Sequence, residues 1–400
     1  MSKKNKTNFY LVGIGNHSVP VLSAAVIRRI HKTKVFSGGK RHYELVSPFL
    51  PEDHKWIEIS GRMDLIFDEY LKTKRAILIF TSGDPFFYGF GNTLKSYLPK
   101  SNIKVFPYFN SIQRLCHKTQ KNYSNLKAVS IHGRDWSALD NALIKNEGFI
   151  GVLTDAEKTP SAIAERLLLY NFTNYTIIVG EELDGDFERI EELTLIECKF
   201  KKHSPLNCVL LERKGIKNDC FGIPDALFES LPNRPNMITK MPIRLTSIHM
   251  LHLNNASVFW DIGSCTGSVA IEAKRFFPHL NVLAFEKRVE CGEIINRNMQ
   301  QFSSPGINVV IDDFFKLNLL EYPMPDVVFI GGHGNNLEEM LLKINQLSSD
   351  IRIVINAVKE TTINIFIEVL KKLNYSISEV EIQVDSFNKI KIMSAINIKK

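Results

Sequence analysis

The stretch SVFWDIGSCTGSVAIEA, residues 257–273, joins an apolar run to an amphipathic segment through a turn that begins at Asp261. An apolar run that ends in an acid and glycines and continues with helical periodicity is typical of a β-strand followed by an α-helix. Open α/β sheets bind ligands outside the carboxyl ends of their strands, where glycine lets the backbone approach a ligand closely. We therefore expect a ligand at loop 261–267, and Cys265 is compatible with it if its φ angle is negative.

Residues at three later strand ends suit the same ligand. Glu286 ends the next strand, where an acid can meet a ribose diol. Asp313 and Phe314 follow the third strand and suit an adenine, although a helix cap and a core ring are the alternative interpretation. FIGGHG (329–334) follows the fourth strand. The loop lacks the full G-x-G-x-x-G dinucleotide pattern, so these strand ends favour S-adenosylmethionine (SAM) over NAD.

Two α/β patterns divide the chain. The C-terminal one has five strand–helix steps, with helices expected at 267–277, 288–302, 336–348 and 361–374, and closes with a hairpin of 375–384 and 389–400. This is the order of a Rossmann-like methyltransferase sheet, in which the last strand is antiparallel to the others. A further run of βα patterns precedes it. We predict an N-terminal domain over 1–213, a linker over 214–222 and a C-terminal domain over 223–400.

Composition limits the classes of protein that fit. The chain has 400 residues, of which 44% are hydrophobic and 23% charged, and these values are typical of globular domains. No apolar run approaches the roughly 20 residues of a membrane helix, and no signal peptide is evident, so we expect a cytoplasmic protein without a membrane partner. The six cysteines form no C-x-x-C pair, so no metal site is predicted. The net charge of +7 favours an anionic partner.

Two sets of motifs carry a resemblance to known families. The C-terminal set resembles the decarboxylating methyltransferases of cobalamin biosynthesis and consists of GIPDALF (222–228), ITKMPIR (238–244), WDIGSCTGSVAIEA (260–273), FEKR (285–288) and VFIGGHG (328–334). The N-terminal set resembles the tetrapyrrole methylases and consists of YLVGIG (10–15), VFSGGKRHYELV (35–46), SGDPFFYGFG (82–91), SIHGRDW (130–136), VLTD (152–155) and VGEELDGDFERI (179–190).

The resemblance implies a fold and an activity. The fold is an N-terminal tetrapyrrole methylase (class III methyltransferase) domain followed by a Rossmann-like class I SAM-dependent methyltransferase domain. The activity is methylation of carbons 5 and 15 of a precorrin-6 type macrocycle, with decarboxylation of the acetate on carbon 12, to give a precorrin-8 type product. The partner is a polycarboxylate corrin precursor rather than nucleic acid, and both families tend to form homo-oligomers.

The same resemblance implies two SAM sites, one per domain. The C-terminal contacts are Thr239, Asp261, Gly263, Ser264, Cys265, Thr266, Gly267, Glu286, Asp313 and Phe314. The N-terminal contacts are Gly83, Asp84, Asn110 and Ser111. The N-terminal loop GNHSVP (15–20) differs from the Gly-Pro-Gly-Asp-Pro type of that family.

Substrate-binding candidates follow from the charges of the partner. Lys240 and Arg244 stand four residues apart, which places them on one face of a helix. Lys40, Arg41 and Arg134 are further cations of this kind. Gly331 and Gly332 allow close approach of a ligand.

Methyl transfer depends mainly on alignment, so no catalytic triad is expected, and His132 and His333 are the candidates for moving protons. The alternatives are a class I RNA methyltransferase with an accessory domain and a degenerate methylase pair that acts as a scaffold.

Overall fold

The computed structural model describes residues 8–215, 222–234 and 236–398, so positions 216–221 of the predicted linker lie outside the described residues. The chain divides into two compact units. The first comprises Met1–Arg134, Gly148–Glu165 and Tyr175–Lys214, and the second comprises Asp135–Glu147, Arg166–Asn174 and Gly215–Lys400. The sequence pattern gave no sign of the two short segments that group with the second unit. The predicted boundaries at 213 and 223 stay predictions.

The first sheet of the first unit is fully parallel. Its strands are β1 (Asn8–Ile14), β2 (Val35–Gly38), β3 (Lys55–Glu58), β4 (Ile77–Ser82) and β5 (Asn102–Phe106), in the order β3-β2-β4-β1-β5. The helices that accompany them are α1 (Ala24–His31), α2 (Lys40–Val46), α3 (Met63–Thr73), α4 (Phe90–Tyr97) and α5 (Ser111–Lys118). Because every strand runs the same way, the loops after β1, β4 and β5 meet at one edge.

The second sheet of this unit is mixed. Its strands are β6 (Lys127–Ser130), β7 (Phe149–Leu153), β8 (Tyr175–Glu181), β9 (Arg189–Leu193) and β10 (Asn207–Arg213), in the order β6-β7-β10-β8-β9. Only β6 and β7 pair in parallel. Along the chain, these strands are separated by α6 (Ser137–Ile144), α7 (Pro160–Leu169) and α8 (Leu195–Lys199). Of these helices, α6 and the end of α7 lie in the segments that group with the second unit.

The second unit contains a seven-stranded sheet. In chain order its elements are α9 (Met241–Leu251), β11 (Val258–Ile262), α10 (Ser268–Phe276), β12 (Asn281–Glu286), α11 (Val289–Gln301), β13 (Ile307–Ile311), β14 (Val327–Ile330), α12 (Leu337–Leu347), β15 (Arg352–Ala357), α13 (Glu360–Lys372), β16 (Tyr375–Ile382) and β17 (Ile390–Asn397). Short 3₁₀ helices cover Ser47–Phe49 in the first unit and Asp225–Leu227, Leu253–Asn255 and Leu319–Glu321 in the second.

The strand order of this sheet is β13-β12-β11-β14-β15-β17-β16, and only β17 is antiparallel to its neighbours. The predicted helices and the predicted closing hairpin are therefore confirmed. Phe259 and Trp260 of β11 are fully buried and belong to separate apolar clusters. Their alternation shows that β11 is covered on both faces, which explains its unbroken apolar run. The sheet order reverses between β11 and β14, so a crevice opens at their carboxyl ends.

Among the described residues, no helix has both the length and the apolar character needed to cross a bilayer.

Candidate active sites in the two units

A cavity of about 570 Å³ opens at the carboxyl ends of β11 to β14 in the second unit. We call it the C-terminal cavity. Most of the residues predicted for this domain line it, namely Thr239, Lys240, Asp261, Gly263, Ser264, Cys265, Thr266, Glu286, Asp313, Phe314, Gly331, Gly332 and His333. Loops that are distant in sequence therefore assemble one site at the switch point of the sheet.

Gly263 makes this assembly possible. Its φ of +75° lies in the left-handed region, and a Cβ added there would stand 2.6 Å from the amide nitrogen of Gly332. Its own N–H donates to the carbonyl of Phe285 at 2.8 Å, and the N–H of Gly331 donates to the carbonyl of Ile262 at 2.8 Å. The loops after β11 and β14 are thus packed backbone against backbone, an approach that only glycine permits.

Cys265 has a φ of +52°, so the condition of a negative angle, under which the sequence made it compatible with a ligand, is not met. Its N–H donates to Glu286 Oε2 at 3.0 Å, and its thiol contacts the carbonyl of Met237 at 3.2 Å. Burial raises the pKa of the thiol to about 12, so it stays neutral. The left-handed backbone costs roughly 1–2 kcal/mol for a non-glycine residue, and these contacts offset part of that cost.

The two carboxylate oxygens of Glu286 hold nearby backbone, and one of them is also placed for the ribose expected from the sequence. Its Oε1 accepts from the backbone N–H groups of Lys287 and Arg288, at 2.9 and 3.0 Å, and from the Arg288 guanidinium. Within the described part of the chain, its Oε2 accepts from Cys265 alone. Since a carboxylate oxygen can accept about two hydrogen bonds, Oε2 retains room for a ligand hydroxyl.

Asp261 is a buried carboxyl with one unused oxygen. Its Oδ2 accepts from the Ser264 hydroxyl at 2.9 Å and from the Ala270 N–H at 3.1 Å. Its Oδ1 is buried and has no hydrogen-bond partner among the described residues. Burial raises the pKa of this carboxyl to about 7. A buried acceptor without a partner is costly, and a donor group on a ligand would relieve that cost.

For Asp313 and Phe314 the sequence left two interpretations open, contact with an adenine or a purely structural role, and the structure shows structural contacts at a position in the cavity lining. Asp313 Oδ1 accepts from the N–H of Phe315 at 3.1 Å, but residues 314–316 form a turn, so this hydrogen bond stabilises a turn and does not cap a helix. The Phe314 ring is 5% exposed and meets Phe285 edge to face at 5.6 Å, so it belongs to the core, and Phe314 also lines the cavity.

His333 is half-buried, and its Nδ1 has no partner among the described residues. Burial, with the nearby charge of Lys359, lowers its pKa. The imidazole is therefore neutral near pH 7 and able to accept a proton.

Arg244 is not a substrate ligand, contrary to the prediction. Its side chain is 0% exposed and pairs with the carboxylates of Glu272 and Asp225 and with the carbonyl of Thr239, the last at 2.7 Å. Its positive charge is paired with carboxylates inside the protein and is not accessible to a substrate. Lys240 precedes α9 rather than lying on the same helix face, with its Nζ 5.1 Å from a ring centroid of the cavity lining. The helical spacing in the sequence relates the positions of these two residues but contains no information on which of them is buried.

Gly267 also lies outside the lining. It caps α10 with a φ of +76°, and an added Cβ would stand 3.0 Å from Ile295. Its role is helix packing rather than ligand contact.

A second cavity, of about 480 Å³, opens at the carboxyl ends of β1 and β4 in the first unit. We call it the N-terminal cavity. Gly83, Asn110, Ser111 and His132 line it as predicted. Gly83 has a φ of +61°, and its N–H donates to the carbonyl of Ile14 at 2.9 Å. An added Cβ would stand 2.9 Å from the Asn110 Cα, so glycine here brings the loops after β1, β4 and β5 together.

Two residues predicted for this cavity take structural roles. Asp84 Oδ1 accepts from the N–H of Phe86 at 2.8 Å, and Asp84 is not in the lining. Arg134 donates to the Ser130 hydroxyl at 2.7 Å and stacks over Tyr88, also outside the lining. Both residues stabilise loops next to the cavity.

Comparisons with known proteins agree with this two-part organisation. The family model for tetrapyrrole (corrin/porphyrin) methylases matches residues 8–198, and the model for the precorrin methyltransferase domain matches residues 233–393. A Sinorhizobium protein named precorrin-6Y C(5,15)-methyltransferase (decarboxylating) is 29% identical over 87% of this chain and 84% of its own length.

Two shorter relatives each match part of the chain. A Salmonella typhimurium protein named cobalt-precorrin-7 C(5)-methyltransferase is 26% identical over 46% of this chain and 89% of its own length. A Thermoplasma volcanium protein named "Probable cobalt-precorrin-6B C(15)-methyltransferase (decarboxylating)" is 32% identical over 40% of this chain and 80% of its own length. The chain belongs to the precorrin methyltransferases. Its fold is a tetrapyrrole methylase domain plus a second methyltransferase domain.

Tetrapyrrole methylases depend on SAM, and the residues of this precorrin methyltransferase fit that donor. In the C-terminal cavity, the unpartnered Asp261 Oδ1 suits an ammonium group, and Glu286 Oε2 suits a hydroxyl. In the N-terminal cavity, Gly83 keeps the strand-end loops within reach of a ligand. Both sets of residues combine polar groups with space in a strand-end cavity, which is the usual setting of a small-molecule site.

Several lining residues of this precorrin methyltransferase had no sequence signal of their own. Phe387 and Asn388 of the β16–β17 turn line the C-terminal cavity, as does Met237. Ser82 lines the N-terminal cavity. It lies in SGDPFFYGFG (82–91), a motif that carried the family resemblance, so that motif could have identified it. Arg41, which the sequence offered as a substrate-binding cation, lines the same cavity.

Proposed function

We propose that this enzyme methylates carbon 5 of a precorrin-6 type macrocycle in its first unit. In its second unit it methylates carbon 15 and decarboxylates the acetate on carbon 12, giving a precorrin-8 type product. The observation that carries the proposal is the presence of one cavity at the carboxyl ends of the strands in each unit. The names of the two partial relatives, one for carbon 5 and one for carbon 15, support the same assignment.

SAM bound in each cavity would supply a methyl group to a nucleophilic carbon of the macrocycle. In the C-terminal cavity, Asp261, Glu286 and the Asp313–Phe314 corner would hold it, and Thr239 and Thr266 lie in the same lining. In the N-terminal cavity, Gly83, Asn110 and Ser111 would hold it. The protein's main contribution is to align the carbon with the methyl group and to exclude water.

In the second unit, His333 is the proposed proton carrier, because one of the two reactions releases a proton and the other takes one up. Methylation of carbon 15 replaces a C–H bond with a C–CH₃ bond and releases one proton. Loss of carbon dioxide from the acetate leaves a carbanion at its methylene carbon, which takes up one proton to become a methyl group. The neutral His333 imidazole can accept the first proton and deliver the second, so the two reactions together need no net proton from solvent.

His132 has the corresponding role in the first unit, where methylation of carbon 5 also releases a proton. The Nδ1 of His132 lies 2.7 Å from the carbonyl oxygen of Thr154, which can only accept, so Nδ1 carries the hydrogen. The lone pair of a neutral imidazole then resides on Nε2. No described residue donates to Nε2, so that atom is the available base in the N-terminal cavity.

The substrate carboxylates require cations, and Lys240, Lys287 and Arg288 line the C-terminal cavity. Lys240 Nζ also lies 4.0 Å from Asp225 Oδ2, and Arg288 pairs with Glu286. Gly331 and Gly332 line the same cavity and leave room for a large ligand. The cytoplasmic location and the homo-oligomeric state expected from the sequence stay predictions.

Incubation of the purified chain with SAM and a precorrin-6 type substrate tests the proposal by mass spectrometry. We expect a product that has gained two methyl groups and lost carbon dioxide. His132→Gln should accumulate a decarboxylated product with one methyl group, whereas His333→Gln should block decarboxylation. A parent chain that leaves the substrate mass unchanged would refute the proposed function.

A further inference from the structure

A group of polar side chains lines the N-terminal cavity beside the predicted donor residues. It consists of Arg41 and His42 on α2 and of Ser82 at the end of β4. We call it the Arg41 cluster. The roles proposed above do not use it, and its hydrogen-bond directions can be worked out atom by atom.

The tautomer of His42 is fixed by its neighbours. The N–H of Gly39 donates to His42 Nδ1 at 3.1 Å, so Nδ1 carries no hydrogen. Burial, with the adjacent charge of Arg41, lowers the pKa of this imidazole to about 4, so it is neutral near pH 7. A neutral imidazole without a hydrogen on Nδ1 carries it on Nε2. His42 Nε2 therefore donates to the Ser82 hydroxyl oxygen, which is 3.0 Å away.

Ser82 receives a second donor on the same oxygen. Arg41 Nη2 lies 3.0 Å from Ser82 Oγ, and a guanidinium can only donate. Two donors occupy both lone pairs of the hydroxyl, so its own hydrogen must be directed elsewhere. No acceptor for that hydrogen occurs in the part of the chain that the structure describes. Ser82 is exposed and lines the cavity, so its O–H is available to a ligand.

The charge of Arg41 is not neutralised by an ion pair. Its other guanidinium bond goes to the Asn16 side-chain oxygen, which is neutral, as Ser82 is. Within the described residues, no carboxylate forms an ion pair with Arg41. The charge of Glu182 acts on Arg41 without such a pair, and the Glu182 carboxylate is held by Asn16 Nδ2 at 3.2 Å and by the Ser204 hydroxyl at 2.6 Å.

Asn16 belongs to the loop GNHSVP, in which this chain departs from the family pattern. Its amide oxygen accepts from Arg41 while its amide nitrogen donates to Glu182, so it separates the two charges. Asn16 therefore holds the Arg41 side chain in place without neutralising its charge.

We propose that Arg41 and Ser82 form a carboxylate-binding subsite in the N-terminal cavity. A partly buried guanidinium and a free hydroxyl hydrogen on one side of a cavity match the charge and the acceptors of a carboxylate. The proposal rests on the proposed function, which supplies two such groups, the acid side chains of the macrocycle and the carboxylate of the methyl donor. The chemistry is the same for both, and the experiment distinguishes them.

The test uses the full-length chain with Arg41→Gln, Arg41→Lys and Ser82→Ala. Arg28→Gln is the matched control, since Arg28 is exposed on α1 and removal of its charge is the same change away from the cavity. Circular dichroism confirms that each variant is folded. Arg41→Lys keeps the charge but loses the planar fork, so an intermediate effect would separate charge from geometry.

Two measurements identify the source of the carboxylate. The first is calorimetric titration with S-adenosylhomocysteine and with 5′-methylthioadenosine, which lacks the carboxylate. The second is the KM for the macrocycle in carbon-5 methylation. If the subsite holds the donor, Arg41→Gln weakens one S-adenosylhomocysteine site about tenfold or more and leaves 5′-methylthioadenosine unchanged. If it holds the substrate, the KM rises by a similar factor while S-adenosylhomocysteine binding is unchanged.

A folded Arg41→Gln chain that matches Arg28→Gln in both measurements would overturn the subsite while leaving the proposed function intact. A parent chain that binds no S-adenosylhomocysteine and methylates nothing would refute the proposed function and, with it, this subsite.

Discussion

Replacing Gly263 by alanine tests whether the close backbone packing of the loops after β11 and β14 requires glycine at this position. The φ of +75° costs an alanine roughly 1–2 kcal/mol in the left-handed region. The added Cβ would stand 2.6 Å from the Gly332 nitrogen and 2.9 Å from its Cα, a contact with backbone that cannot rotate away. Overpacking of this kind costs about 1–3 kcal/mol, so we expect a total loss of about 2–5 kcal/mol.

Gly61→Ala is the control, because Gly61 has a φ of +70° and nothing within 4 Å of an added Cβ. It carries the backbone cost alone, so the difference between the two variants measures the contact with Gly332. Urea unfolding gives the stabilities, and calorimetry with S-adenosylhomocysteine gives donor binding. We expect Gly263→Ala to lose one of two binding sites and Gly61→Ala to keep both. The reasoning is refuted if Gly263→Ala is no less stable than Gly61→Ala and binds the ligand as the parent does.

Three further substitutions test other parts of the account. Cys265→Gly should change stability by less than about 1 kcal/mol, because relief of the left-handed backbone offsets the lost thiol contact, whereas Cys265→Val should lose about 2 kcal/mol or more in urea unfolding. Glu272→Gln should cost about 3–5 kcal/mol, because it removes the fully buried carboxylate partner of Arg244 and leaves only Asp225, whose side chain is partly exposed. The exposed Glu293→Gln should cost less than about 1 kcal/mol, and equal losses for these two variants would contradict the buried role of Glu272. Asp261 has a folded pKa of about 7, above its ordinary 3.8, so its protonated form stabilises the fold and that contribution is lost as pH rises through about 7. The stability of Asp261→Asn relative to the parent should therefore increase by roughly 3 kcal/mol between pH 5 and pH 8, and a difference that is constant with pH would contradict it.

The sequence predicted the second unit best, because there the hydrophobic pattern of each element and the length of each connection point to the same fold. Alternating apolar strands and helices fixed the order of the second unit, and the turn between 375–384 and 389–400 is too short for a helix, which required the antiparallel pair now seen as β16 and β17. The cavity followed from the rule that parallel strands place their carboxyl ends at one edge. Asp261 and Glu286 were found for that reason.

The errors concern properties that depend on tertiary contacts. Arg244 has the spacing of a surface cation, but its partners Glu272 and Asp225 come from segments far away in sequence. Cys265 has a left-handed φ and donates its N–H to Glu286 on the next strand, and a local sequence pattern contains neither feature. Asp84 was assigned to a ligand although an acid before a turn also satisfies backbone N–H groups, and sequence alone does not separate the two uses.

The central claim is that each unit of one chain holds a methyl donor of its own. Calorimetric titration of the intact chain with S-adenosylhomocysteine tests it directly, with Gly83→Asp and Gly263→Asp each designed to close one cavity. The account predicts two equivalents bound to the parent, one to each single variant and none to the double variant. A parent that binds a single equivalent, or single variants that both eliminate the same site, would contradict it.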